Sequence, residues 1–286
     1  MTLFIHAWVG THTWLFTGHY AVGFKDLLSR TRDIWRIHHR SNLYSIHDHG
    51  QYFTYPPAAL FVFWPLSWFS FRVDALWWTM LCLLALAGAI GVVWRTVRPG
   101  DPWVIAAGSL WGALASIVLL PVISIHFALG QLGVLIMVVL ALDTLVLRGR
   151  LQGVGTGIAT AVKIYPGVFI IGWLLRRQWR PALTAIAAAA VTTGAAWAIW
   201  PWFTDTFVRR QLLGGREFSH FLARRHWLAA SSSPYTVFFR WPFHGGAWAA
   251  PAGWTLSLGV VALGLAAATR LWRAGAPAAA FSLTLG

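Results

Sequence analysis

The sequence predicts an all-α fold: a polytopic bundle of transmembrane helices with an extracytoplasmic first loop and interfacial helices. Three observations carry that prediction. First, 58% of the 286 residues are hydrophobic and only 10% are charged, where a soluble domain has about 25% charged residues. The mean hydropathy of +0.62 agrees, and a chain this apolar has lipid as its solvent. Second, apolar runs alternate with short arginine clusters or prolines. Third, the chain holds 20 tryptophans, and indole prefers the headgroup level of a bilayer.

The remaining counts exclude other classes. The single cysteine, Cys82, lies in an apolar run, which rules out a disulfide framework and a thiolate metal site. A net charge of +14 could suggest nucleic acid. The basic residues, however, stand in short clusters between apolar runs, a pattern of membrane topology and lipid phosphate rather than DNA. Residues 1–24 contain His6, His12 and His19 and end in no small-residue cleavage site, so no cleavable signal peptide is expected. No internal repeat or soluble domain is legible, and residues 1–286 read as one membrane body.

In chain order, residues 1–24 read as a degenerate first helix or the tail of one, because Thr, His and Gly recur through them. Residues 25–57 are the densest ionisable stretch and end at Pro56-Pro57, which stop any regular element. Residues 57–70 are apolar but short and interrupted by Pro65, so they are expected to lie flat on the membrane surface. Apolar runs follow at 75–94, 103–120, 132–147, 182–200 and 254–268. Two half-length pieces, 153–162 and 167–175, flank Lys163-Ile164-Tyr165-Pro166. The final AAAFSLTLG reads as the start of another helix, so the chain is expected to be incomplete at that end; the weak first helix raises the same expectation at the other.

Topology follows from the arginines. The short connections 95–102, 148–150, 176–180 and 270–273 are Arg-rich and are expected in the cytoplasm. That puts 25–57, 122–131, Lys163 and the loop 202–250 on the opposite side. The loop 202–250 is itself basic, which suits a site for an anionic lipid.

Several residues could carry chemistry. Asp26 could act as a general base on a hydroxyl, or merely cap a short helix. Asp33, among Arg30, Arg32 and Arg36, reads as a surface ion pair. His47-Asp48-His49 resembles a metal clip, but no third ligand is evident and no metal is expected. Lys163 is one of two lysines in the chain and falls at the break between two apolar pieces. A buried ammonium is costly in a bilayer, so a phosphate contact is preferred over a lysine snorkelling to the interface. Gln131, after His126 and Gly130, could bond a sugar or phosphate, or cross-link helices. Asp143 lies towards the Arg148 end of its run and reads as structural.

The motifs together resemble a known family. An early Asp, Leu43-Tyr44, Phe53-Thr54-Tyr55-Pro56-Pro57-Ala58-Ala59 and Pro65-Leu66 come in that order. Gly130-Gln131, Arg148-Gly149-Arg150, and the run from Gly157 through Lys163 to Pro166 and Arg176-Arg177-Gln178-Trp179-Arg180 follow. This pattern resembles the polyprenol-phosphate-mannose-dependent mannosyltransferases of glycosyltransferase family 87, integral enzymes of the GT-C type. The resemblance implies inverting transfer of a hexose, mannose, from a polyprenyl-phosphate sugar donor to a lipid or glycan acceptor hydroxyl outside the plasma membrane. It implies no nucleotide and no obligatory metal. Asp26 falls at the family's catalytic position, counted back from Leu43-Tyr44. Substrate-binding roles are expected for Lys163, Gln131, Tyr55, Tyr44, Arg36 and His126. The competing classes are a transporter or flippase for a lipid-linked sugar, which a broken helix with a lysine also suits, and an inactive remnant.

Overall fold

A computed structural model describes residues 55–120, 123–124, 126–127, 130–209 and 249–285. Every regular element among them is helical, so the predicted all-α class holds. The chain divides into two compact units, which meet in sequence at Phe203 and Thr204.

The first unit opens on a short apolar helical stretch, Pro57–Leu66, below spanning length as expected of residues 57–70. A 3-10 turn (Pro57–Ala59), a single helical turn α1 (Leu60–Phe63) and a second 3-10 turn (Trp64–Trp68) follow each other. Proline lacks an N–H and clashes with the preceding turn, so Pro57 and Pro65 each fall where a short piece begins. The aromatic residues divide: Phe63 is 1% exposed, whereas Trp68 is 68% exposed. Phe61 and Trp64 pack on Trp200, at centroid distances of 5.1 and 5.6 Å.

α2 (Phe71–Val97) and α3 (Pro102–Leu119) form an antiparallel pair. Asp101 ends the connection between them. Its Oδ1 accepts from the N–H groups of Trp103 and Val104, at 2.7 and 3.4 Å, and Pro102 occupies the first helical position. This is the favoured opening of a helix, because both residues deal with N–H groups that have no partner inside it. The pair closes on α4 (Gly133–Ala141) through a core of Ala85, Leu86, Ala113 and Val134.

α4 widens into a π turn at Leu142–Val146, closed by the Leu147 N–H on Leu142 O at 2.8 Å. Two short helices, α5 (Val154–Val162) and α6 (Gly167–Leu175), replace a full span and match the predicted half-length pieces. α7 (Trp179–Ile199) packs along both. The α5–α7 contact is backbone against backbone: a Cβ on Gly157 would collide with Ala185 O and lie 2.6 Å from Ala188 Cβ. Small residues at such crossings let helices in lipid approach closely enough to gain packing energy. Trp173 of α6, fully buried, covers Ala182 and Ala185 of α7.

α2, α3 and α7 are each long and apolar enough to cross a membrane. At about 1.5 Å per residue, even the 18 residues of α3 reach roughly 27 Å, close to the hydrocarbon thickness of about 30 Å. α8 (Pro201–Thr206) bridges the boundary between the units. The second unit contains α9 (Ala249–Arg273) and α10 (Pro277–Leu285), packed on each other.

Candidate active site

The break between α5 and α6 carries Lys163, the lysine among the described residues. α5 ends at Lys163, whose backbone is extended (φ −151°, ψ 130°) while its N–H still reaches Ala159 O at 2.8 Å. Pro166 then prevents the helix from continuing and serves as the N-cap of α6. The ammonium therefore sits at the C-terminal end of α5, where the helix dipole favours a cation. Lys163 Nζ lies 5.3 Å from the ring centroid of Tyr55 and 5.5 Å from that of Tyr165. Aromatic faces at this range attract a cation.

Tyr55 is 5% exposed and is fixed from below. It meets Phe63 edge-on at 5.5 Å, and Phe63 stacks on Trp78 of α2 at 5.8 Å. The aromatic ladder thus runs from the Tyr55-Pro56-Pro57 motif to α2. Two residues separately singled out in the sequence, Tyr55 and Lys163, meet here.

The other end of α5 is held by Asp143. Its N-cap is Gly153, at φ +103°, a conformation that favours glycine. A Cβ there would also strike Pro181 O of α7. The residue that must be glycine therefore has no side chain with which to cap. Asp143 supplies both bonds from the π turn: Oδ1 accepts the Gly153 N–H and Oδ2 the Thr156 N–H, each at 2.8 Å. One carboxylate satisfies the N-cap and N3 donors that a capping box normally divides between two side chains. The expected structural role of Asp143 holds, but it faces α5 rather than Arg148; the Arg148 guanidinium instead donates to Thr144 O and Leu147 O.

His126 and Gln131 meet at the start of α4. The Gln131 N–H bonds to His126 O at 3.1 Å, and Gly130 turns the chain at φ +71°. The His126 ring lies against Gly133, where any Cβ would collide with Nε2. Asp26, Arg36 and Tyr44, with Asp33 and the His47-Asp48-His49 run, lie outside the described residues. Among the described residues no three metal-ligating side chains converge.

The sequence reading missed Asp74 and Trp78, both buried on α2. A signal was present: Asp74, Trp78 and Cys82 repeat at the four-residue spacing of one helix face.

At the opposite end of α5 from Lys163, Gly153 approaches Pro181 closely, and the arginine-bearing stretches 148–150 and 176–180 shortly precede these two residues in the chain. Burial lowers the Arg176 guanidinium to about 10, which leaves it cationic at neutral pH.

Long apolar helices mark a membrane protein that is helical among its described residues, with a lysine at a helix break. A family model described as glycosyltransferase family 87 matches residues 53–286, and the chain belongs to that family. Two curated relatives illustrate it. The Mycobacterium tuberculosis polyprenol-phosphate-mannose-dependent alpha-(1-2)-phosphatidylinositol mannoside mannosyltransferase is 33% identical over 179 residues, 57% of this chain and 42% of the relative. The Mycolicibacterium smegmatis polyprenol-phosphate-mannose-dependent alpha-(1-2)-phosphatidylinositol pentamannoside mannosyltransferase is 31% identical over 147 residues, 51% of this chain and 35% of the relative. The chain thus spans less than half the length of these relatives. No solved structure matches it.

Proposed function

We propose that this protein is a multi-pass membrane glycosyltransferase that moves a mannosyl group from a polyprenyl-phosphate donor to a hydroxyl of a lipid or glycan acceptor, with inversion, outside the cell membrane. The observation that carries this reading is the Lys163 ammonium held between Tyr55 and Tyr165 at the α5–α6 break, in a chain of family 87. In the proposed reaction the acceptor oxygen attacks the anomeric carbon. Asp26 takes the hydroxyl proton as general base. The bond from the anomeric carbon to the phosphate oxygen breaks, and the electron pair leaves with the polyprenyl phosphate. Lys163 meets the charge that develops on that phosphate. Tyr44, Arg36, Gln131 and His126 are proposed to contact the substrates. No metal or nucleotide takes part.

The sidedness reading draws support from α5 itself. Its N-cap Gly153 lies against Pro181, and these two residues shortly follow arginine-rich connections of the kind expected in the cytoplasm, while its last residue adjoins Lys163.

The test is transfer of radiolabel from polyprenyl-phosphate mannose to an extracted membrane lipid, in membranes containing the protein. Asp26→Asn should lower transfer about 10²–10⁴-fold, while Asp33→Asn should change it little. Loss in Asp33→Asn with full activity in Asp26→Asn would show that the base is not Asp26. The broken α5–α6 pair also suits a flippase. Movement of intact lipid-linked sugar across a vesicle membrane, with no transfer, would favour that reading.

A further inference from the structure

Four acidic residues lie among the described residues, and three have evident tasks. Asp101 caps α3, Asp143 caps α5, and Asp205 pairs with Arg209 at 2.8 Å. Asp74 does none of these. It is 2% exposed, and its Oδ2 has no hydrogen-bond partner among the described residues. Nor is it a helix cap: it is the fourth residue of α2, and its own N–H is already bonded to Ser70 O at 3.0 Å.

One helical turn further on, Trp78 is 3% exposed, and its indole N–H is likewise unpartnered among the described residues. Residues four apart lie on the same helix face. A bare buried acceptor and a bare buried donor on adjacent turns are uncommon, because each loses its water without replacement. An ionisable group in an apolar helix points to function for the same reason.

The chemistry selects the ligand. A cation would satisfy Asp74 but not the Trp78 N–H. An anion would satisfy the N–H but be repelled by the carboxylate. A hydroxyl both donates and accepts, and so fits both. Trp78 also stacks on Phe63, which meets Tyr55, which lies under Lys163. Polar atoms beside aromatic faces suit a sugar, whose hydroxyls lie at its edge and whose C–H groups lie on its face.

We propose that Asp74 and Trp78 read a hydroxyl of the donor sugar, Asp74 Oδ2 accepting its proton in a hydrogen bond and Trp78 Nε1 donating to an oxygen. This rests on the donor reading above. Both are positioning and specificity residues, and two aromatic rings separate Trp78 from the cation proposed to meet the phosphate.

The experiment compares two probes on the purified protein in lipid nanodiscs: polyprenyl-phosphate mannose and polyprenyl phosphate without sugar. Asp74→Asn keeps the size of the side chain, and Trp78→Phe keeps a ring against Phe63. Trp78→Phe should weaken binding of the sugar-bearing lipid about tenfold, the effect of one lost hydrogen bond, and Asp74→Asn about fivefold, the difference between a hydrogen bond to a charged and to a neutral acceptor. Binding of the bare lipid phosphate should stay within about twofold, because the phosphate contact is untouched. Equal weakening for both probes would make the pair structural and overturn the proposal, as would no change for either. Should Asp74→Asn fail to fold, Trp78→Phe decides alone. A wild-type protein that binds neither probe would overturn the donor reading along with the pair, whereas wild-type binding with unaffected variants would overturn the pair only.

Discussion

Replacing Asp143 with alanine should destabilise the protein by about 2–6 kcal/mol. Asp143 is fully buried and accepts the Gly153 and Thr156 N–H groups, each at 2.8 Å. Alanine leaves two buried donors bare, and each costs about 1–3 kcal/mol. Neighbours cannot easily replace the bonds. Gly153 has no side chain, and Gly155 lies too close for one to be added: its Cβ would come 3.0 Å from Val139 and 3.2 Å from Asp143. Asp143→Asn should lose roughly half as much, because the amide keeps one acceptor but turns N–H groups towards the second donor. Thermal unfolding in detergent, followed by intrinsic tryptophan fluorescence, measures both. The loss should also reach the site, because α5 runs from this cap to Lys163. Donor affinity should fall in Asp143→Ala even though Asp143 touches no substrate in the proposed mechanism. An alanine variant within about 0.5 kcal/mol of wild type, the range of an ordinary surface change, would refute this account of the cap.

Three further outcomes are expected. Gly157→Leu should separate α5 from α7 at Ala185 and Ala188, costing at least about 1–3 kcal/mol as overpacking does and lowering the unfolding midpoint measurably. Lys163→Met should weaken binding of polyprenyl phosphate about 10–100-fold, the range for a hydrogen bond to a charged group. Its stability should change by only about 1–2 kcal/mol, from two lost cation–π contacts, and unchanged lipid binding would remove Lys163 from the site. Cysteines placed at Ser41 and Ser232 should react with an impermeant reagent from outside, and one at Gly149 should not; labelling of all three would break the sidedness model.

The helices are largely legible in the sequence. Length of apolar run, proline position and arginine clusters are local properties, and in lipid a helix must satisfy its own backbone. The predicted 103–120 run thus became Pro102–Leu119, and the half-length pieces became α5 and α6. Lys163 could be singled out for the same reason, because charge and helix break coincide within four residues of sequence. Where packing decides, the sequence says less. Hydropathy made 57–70 a short helical segment, as Pro57–Leu66 is, but could not show that Phe63 fits between Tyr55 and Trp78. Pattern could place Asp143 on a helix but could not tell which helix end it serves, since its two donors come from α5. The meeting of Tyr55 with Lys163, and the burial of Asp74 Oδ2 and Trp78 Nε1 with no hydrogen-bond partner among the described residues, are likewise tertiary facts. Hydropathy scores a residue by its own transfer cost, whereas a site depends on which distant groups share the same buried space and which are left without a bond.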